Sequence, residues 1–294
     1  MPDTFYMLVL GDSVTWGQGL RSEQKMHSLV LDARKAAGPT RSLLLAHSGA
    51  VIGQGATFSK ATCDPEVPTA YPTIAQQSDA APDQDADLVI LNGGINDIDI
   101  RYILNPFTDH RDLADTTRIF CGQQMRWLLE RVLAKFPRAK VVVTSYYPVL
   151  SEASDFDLLP EFTLVAGMPV RPLFTFRPEH LVLDKIVSNC RIFDEESTAA
   201  TRDAVESFAS TRRVFFARPP FTPEHAALAP DPWLFGIRRG TLAPQDPIAA
   251  ERHVACDKCE KDLLQREQCY RASAGHPNVE GARRYAQAIL DVLS

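Results

Sequence analysis

The sequence predicts an α/β protein in which a parallel sheet of about five strands lies between two layers of helices. Short apolar runs alternate along the chain with longer segments that repeat apolar residues at helical spacing. Strands that alternate with helices in this way pair in parallel, because each helix returns the chain to the same end of the sheet. We find no internal repeat and no linker, so residues 1–294 are expected to form a single domain.

Five segments are predicted as strands. The first, 5–10, is an apolar run that ends at Gly11, as buried strands often do. The others are 42–46, 86–91, 140–144 and 214–216, of which 140–144 is rich in valine.

Four segments are predicted as the main helices: 24–37, 112–136, 178–210 and 278–293. Each repeats apolar residues at helical spacing, and prolines or a Gly-Pro pair end the first two. Segment 60–82 contains four prolines and is predicted to be an irregular loop with one helical turn.

Two long insertions interrupt this pattern, at about 151–177 and 219–265. Long loops inside a compact domain are usually functional or disordered. The first insertion is rich in Phe and Leu, too apolar for a solvated tail, so it either packs over the sheet edge or forms a wall of an apolar pocket. The second is rich in proline and leads into a cluster of cysteines.

The composition argues against nucleic-acid binding and against a membrane-spanning segment. The net charge is -6, which does not suit binding to nucleic acid, itself a polyanion. No apolar run approaches the roughly 20 residues of a membrane-spanning helix, so no transmembrane segment is expected. The chain enters its first strand without a basic segment followed by an apolar one, so we expect a cytoplasmic protein.

Ser13 is the first candidate for chemistry. It follows the first predicted strand, and open parallel sheets bind their ligands at the carboxyl ends of their strands. A serine hydroxyl there is a nucleophile if a histidine base reaches it. The alternative is an ordinary turn, because Gly11, Asp12 and Ser13 are all turn-forming residues.

Three further stretches hold candidate residues, although each alone is unremarkable. Gly49 follows the second predicted strand and would let a backbone N–H approach a ligand. Asn96 follows the third and carries an amide donor. His276 lies in the loop before the last helix. Alone, these would be a turn glycine, a capping residue and a surface histidine.

Together the four stretches resemble the sequence blocks of the SGNH hydrolases, also called the GDSL esterase/lipase family. The matching blocks are Gly11-Asp12-Ser13-Val14, Gly49, Gly94-Ile95-Asn96-Asp97 and the residues around His276. Their order and spacing agree over nearly the whole chain. The resemblance implies a flavodoxin-like three-layer α/β/α sandwich. The chain has no Gly-x-Ser-x-Gly motif, which disfavours the α/β-hydrolase fold.

The resemblance also implies roles for the matching residues. Ser13 is the expected nucleophile, and His276 is the expected base that takes its proton and returns it to the leaving alcohol. The backbone N–H groups of Ser13 and Gly49 and the side-chain amide of Asn96 are the expected oxyanion hole. The family needs no metal ion or other cofactor, and we expect none here.

One position departs from the family pattern. The family usually has an aspartate three residues before the histidine, and here that residue is Ser273. Some members use a backbone carbonyl instead, so we expect a Ser13–His276 dyad oriented by a carbonyl or by the Ser273 hydroxyl. An acid from elsewhere remains an alternative, and Asp231, Asp246 and Asp257 are the candidates in the preceding insertion.

The cysteine cluster reads His253-x-x-Cys256-x-x-Cys259, followed by Cys269. We expect a disulfide from Cys256 or Cys259 to Cys269, which would tether the loop that carries His276. Free thiols and a Cys₃His zinc site are the alternatives, and the lack of an export signal counts against the disulfide.

These observations predict a serine esterase that cleaves small-molecule or lipid esters through an acyl-enzyme. The alternatives are a carbohydrate deacetylase on the same fold and an inert binding domain, the latter suggested by the missing aspartate. The oligomeric state is not predicted.

Overall fold

The central feature of the fold is a parallel sheet of five strands. The structure is a computed structural model that describes residues 4–55, 63–82 and 85–294. Within these residues the strands are β1 Phe5–Val9, β2 Thr40–Leu44, β3 Leu88–Leu91, β4 Lys140–Thr144 and β5 Val214–Ala217. They pair in the order β2-β1-β3-β4-β5, and every pair is parallel. The predicted α/β class and the number of strands are confirmed.

Helices cover both faces of this sheet. The α-helices of the described residues are α1 Ser13–Trp16, α2 Met26–Arg34, α3 Ile74–Ala80, α4 Ile95–Ile98, α5 Ile100–Ile103, α6 His110–Arg118, α7 Met125–Lys135, α8 Leu159–Val165, α9 Glu179–Glu206, α10 Ala249–Cys259, α11 Leu263–Tyr270 and α12 Val279–Asp291. Short 3₁₀ helices occupy Ser22–Gln24, Lys35–Ala37, Arg171–Thr175, Ala209–Thr211 and Pro223–His225, and a π-helical segment spans Ile119–Gln124.

The core has two layers because alternate residues of a strand face opposite sides of the sheet. Met7 and Val9 of β1 pack with α2, α9 and α12 on one side. Leu8 of β1 and Leu10 pack with α3 and α7 on the other side. This is the predicted three-layer α/β/α sandwich. None of the helices in the described part of the chain combines the length and hydropathy of a membrane span.

Several element boundaries differ from the predictions. The predicted helix 112–136 is divided by the π-helical segment into α6 and α7, and 178–210 contains the single uninterrupted helix α9. Segment 60–82 contains more than one helical turn, α3, while residues 60–62 lie outside the described residues. The second insertion contains α10 and enters α11, neither of which was predicted, because their apolar residues form no clear stripe.

Candidate active site

The residues singled out from the sequence lie together at the carboxyl edge of the sheet. Ser13 follows β1, Gly49 follows β2 and Asn96 follows β3. All three line one cavity of about 470 Å³, and His276, from the loop before α12, lines it as well. The sheet order explains this convergence, because β1 lies between β2 and β3 and all three strands end at the same edge.

Ser13 and His276 are in direct contact. The imidazole Nε2 lies 2.7 Å from the Ser13 Oγ, and Ser13 is only 4% exposed. The second insertion holds the histidine loop in place. The Phe235 N–H donates to the His276 carbonyl at 2.8 Å, and the Gly275 N–H donates to the Phe235 carbonyl at 2.8 Å. The geometry is that of a nucleophile beside its base.

Asp12 fixes the turn from which Ser13 projects. Its carboxylate caps α1 by accepting the Val14 N–H at 2.9 Å. It also accepts the Asn92 amide at 2.8 Å and the Tyr146 hydroxyl at 2.6 Å. Burial raises the pKa of Asp12, and these three hydrogen bonds oppose the rise. Gly11 has φ +132°, a backbone conformation that L side chains rarely adopt.

The three predicted oxyanion-hole groups border the same cavity. The Ser13 and Gly49 N–H groups donate to no other described residue. The Asn96 amide donates to the Ala50 carbonyl at 3.0 Å, which fixes its plane and leaves its second N–H available. A Cβ at Gly49, where φ is +79°, would lie 2.6 Å from the Thr69 backbone nitrogen, so only glycine fits there.

Asp97, next to Asn96, holds the neighbouring loop. Both of its carboxylate oxygens accept the Ile52 N–H, at 3.2 and 3.0 Å. Burial raises the pKa of Asp97 to about 7, the hydrogen bond from Ile52 opposes the rise, and the nearby Asp12 carboxylate adds to it.

The surroundings of His276 keep its imidazole neutral. Burial lowers the pKa of His276 to about 4. Backbone carbonyl groups oppose this decrease, that of Ala274 most strongly, and the positive charge of Arg252 adds to it. These carbonyls stabilise the charged ring only weakly, because Nδ1 makes no hydrogen bond of good geometry with any described residue. The Ser273 hydroxyl does not orient the ring, since it donates to Asp246 at 2.6 Å.

None of the three alternative acids reaches His276. Asp231 pairs with His225 at 3.7 Å, and Asp257 accepts a hydrogen bond from the Tyr270 hydroxyl. Asp246 contacts Ser273 and forms an ion pair with Arg252, whose side chain is entirely buried. Arg252 could not be identified from the sequence, because nothing in a polar, unpredicted helix distinguishes a buried arginine from a surface one.

The cysteine cluster contains a disulfide between Cys256 and Cys269. It joins α10 to α11, and Cys269 lines the cavity. His253 stacks on the Tyr270 ring at 4.1 Å and does not converge with the cysteines. Among the residues that the structure describes, no group of His, Cys, Asp and Glu side chains is arranged to hold a metal ion.

The cavity is lined by both apolar and polar residues. Its apolar lining includes Ile100, Leu104, Val149, Phe162 and Val165, and its polar lining includes Glu260, Gln265, Gln268 and Arg271. Phe162 and Val165 belong to the first insertion and are also part of the main core. Both expectations for this insertion therefore apply, because it packs over the sheet and forms a wall of the cavity.

Comparisons with known proteins agree with this fold and its sequence blocks. Residues 9–174 match the model of the GDSL-like lipase/acylhydrolase family. An extracellular lipase from Streptomyces rimosus has a similar structure, with 15% identity, a TM-score of 0.56 and coverage of 98% of this chain and 99% of that chain. Phospholipase A1 from Streptomyces albidoflavus NA297 is also similar, with 15% identity, a TM-score of 0.54 and coverage of 99% and 100%.

No curated protein sequence shows significant similarity to the chain. The two solved structures share its fold over their whole length, and the family model covers more than half of its residues. The chain therefore belongs to the GDSL-like lipase/acylhydrolase family, the SGNH hydrolases that its sequence blocks resemble.

Proposed function

We propose that the protein is a serine esterase that hydrolyses carboxylic esters through an acyl-enzyme on Ser13. The main support is the 2.7 Å contact between His276 Nε2 and Ser13 Oγ inside a cavity bordered by three hydrogen-bond donors. An inert binding domain has no need for this contact, and a decayed site would be expected to lose at least one of these groups.

The proposed reaction begins when the Ser13 Oγ attacks the ester carbonyl carbon while its proton passes to His276 Nε2. The carbonyl oxygen becomes an oxyanion near the N–H groups of Ser13, Gly49 and Asn96. The C–O bond to the alcohol then breaks, and the alcohol leaves with the proton from His276. Water, deprotonated by His276, then attacks the acyl-enzyme carbonyl carbon. The bond from this carbon to the Ser13 Oγ breaks, His276 returns the proton to Oγ, and the acid is released.

The first proton transfer requires a neutral His276. Because burial lowers the pKa of this imidazole to about 4, the ring is in the base form at neutral pH. The same burial makes the imidazolium costly, so His276 would hold the proton only between attack and departure of the alcohol. The backbone carbonyls of Ala274, Ser273 and Ala272 stabilise that charged state in part.

The walls of the cavity favour esters with an apolar acyl or aryl group, lipid esters included. Its volume of about 470 Å³ lies within the range usual for small-molecule sites. The apolar lining residues, Phe162 and Val165 among them, suit a hydrocarbon chain, and the polar ones, such as Gln268 and Arg271, suit a polar alcohol. This lining does not favour an acetylated sugar over a longer acyl ester.

Hydrolysis of p-nitrophenyl acetate, butyrate, octanoate and palmitate tests this proposal, with Ser13→Ala as the blank. Ala166→Phe, which adds a ring to the cavity lining, should lower kcat/KM for octanoate relative to acetate by roughly tenfold. Leu164→Phe is the matched control, because Leu164 lies two residues earlier, in α8, but is 43% exposed and outside the cavity. Equal effects on both esters would contradict an acyl site there, and activity confined to acetylated oligosaccharides would favour the deacetylase.

A further inference from the structure

A buried ion network lies beside the active site. The Arg252 guanidinium, which is 0% exposed, contacts two carboxylates. Its Nη2 donates to Asp246 Oδ2 at 2.5 Å and its Nη1 to Asp246 Oδ1 at 3.1 Å. Nη1 also donates to Glu66 Oε1 at 3.0 Å. The Asp246 side chain is 0% exposed and that of Glu66 only 6% exposed.

At one end, the network binds the loop that carries His276. The Ser273 hydroxyl donates to Asp246 Oδ2 at 2.6 Å, and Arg252 Nε donates to the Tyr270 carbonyl at 3.1 Å. Ser273 is itself fully buried, and its carbonyl accepts the His276 N–H at 3.0 Å. Asp246 is therefore connected to His276 through a single residue, Ser273.

The other end holds the segment that follows the nucleophile. Glu66 accepts the indole N–H of Trp16 at 2.7 Å, the Gln18 amide at 2.9 Å and the Gly19 N–H at 3.0 Å. Trp16 is the last residue of α1, the helix that begins at Ser13. The network thus links the two segments that carry Ser13 and His276.

The two segments also touch directly. A Cβ at Gly19 would lie 2.6 Å from the Ser273 Cβ and 3.2 Å from the Asp246 Cβ. The two segments are therefore packed closely at this point. Charges are costly to bury, and a buried pair often adds little to stability compared with apolar packing. A fully hydrogen-bonded pair does, however, define one geometry, because any displacement leaves a charge without its partner.

We propose that Asp246, held by Arg252, is a positioning residue for His276 and acts through the Ser273 hydroxyl. In this chain the carboxylate lies one side chain further from the imidazole than an aspartate at position 273 would. Arg252 neutralises its charge, so Asp246 fixes the place of the base without contacting it. The inference rests on the proposed function, since it concerns the same Ser13–His276 contact.

The test compares Ser273→Ala, Asp246→Asn and their double variant by kcat, KM and melting temperature on p-nitrophenyl butyrate. A displacement of the base by about 1 Å costs on the order of 10²-fold in rate. Each single variant should therefore lower kcat by roughly that factor with KM little changed. The double variant should be no slower than the slower single one, because both changes break the same connection.

Asn189→Ala is the control for a loss of stability alone. Asn189 is fully buried, donates to the Asn105 carbonyl at 2.8 Å and lines no wall of the active-site cavity. It should lower the melting temperature and leave kcat unchanged. If kcat falls with melting temperature equally in Asn189→Ala and Ser273→Ala, Asp246 has only a structural role and the inference is overturned.

Two further outcomes would also overturn it: an unchanged kcat in Ser273→Ala, or losses in the single variants that multiply in the double variant. If Asp246→Asn does not fold, the kcat of Ser273→Ala decides the question alone. A wild-type protein without esterase activity would refute the proposed function instead, so the two failures are distinguishable.

Discussion

The Nε2 atom of His276 lies 2.7 Å from the Oγ atom of Ser13, although 263 residues separate the two in the chain. The Asp12 cap holds Ser13 at the end of β1, while backbone pairing with Phe235 holds His276. Nδ1 of the same imidazole has no carboxylate partner among the described residues.

Asn96→Ala should lower kcat by about 10²- to 10³-fold and change KM little, because an oxyanion-hole donor acts mainly on the transition state. Asn105→Ala is the control. The Asn105 side chain accepts a hydrogen bond from the Phe107 N–H and does not line the cavity. Steady-state kinetics on a p-nitrophenyl ester measures both constants. If the principal effect is on KM, Asn96 binds the substrate and the proposed role is wrong.

The acid limb of the kcat/KM profile should lie well below pH 6.5, near pH 4. Burial lowers the pKa of His276 to about 4, and only the neutral imidazole accepts the Ser13 proton. The unfolded chain binds this proton near pH 6.5, so the stability that depends on neutral His276 falls as the pH drops from about 6.5 to about 4. Circular dichroism must show folded protein at each pH. An acid limb at or above pH 6.5 would indicate a carboxylate partner for His276.

Introducing a carboxylate beside the imidazole should move this limb to higher pH. Ser273→Asp restores the spacing that is usual in the family, but it would place two carboxylates together because Ser273 contacts Asp246. We therefore expect the clear shift in Ser273→Asp combined with Asp246→Asn, where the new carboxylate favours the imidazolium. The same pH profile measures it. A limb that stays in place would mean that residue 273 does not reach the ring.

The Cys256–Cys269 disulfide should appear as a linked peptide pair in mass spectrometry of the unreduced protein. The two cysteines are 13 residues apart, so its loss through Cys256→Ser and Cys269→Ser should cost about 3 kcal/mol in the loop-entropy model. Cys259→Ser is the matched control, because this neighbouring cysteine is outside the bond. Stoichiometric zinc in the purified protein would contradict the disulfide.

The sheet was predictable because its signals are local, and the site residues were predictable because four stretches together resemble the sequence blocks of a known family. β4 has the predicted bounds, since a valine-rich run with a charge at one end is typical of a buried strand. The convergence of Ser13, Gly49 and Asn96 follows from parallel pairing, because each residue comes after a strand.

The missed features depend on tertiary contacts. Helix α10 carries Arg252 and Cys256 inward, and its stabilising partners are Asp246, Glu66 and Cys269, which no periodic pattern reveals. For the same reason, the contact of Ser273 with Asp246 could not be told from the sequence, which offered three candidate acids in the preceding insertion.

Ser13→Ala and His276→Ala should each remove nearly all esterase activity while the protein stays folded. The double variant should be about as slow as either single variant, because the two residues act as a unit. Kinetics of the three variants on one ester checks this, with circular dichroism as the control for folding. Double-variant activity equal to the product of the single losses would show that they act independently.

The most direct test of the Ser13–His276 assignment is covalent labelling with a fluorophosphonate, followed by peptide mass spectrometry. The wild-type protein should carry one adduct, on the peptide that contains Ser13, and His276→Ala should slow its formation strongly because the base is absent. Ser13→Ala should carry none. An adduct that persists in Ser13→Ala, or a wild-type protein that is not labelled, would contradict the assignment of Ser13 as the nucleophile.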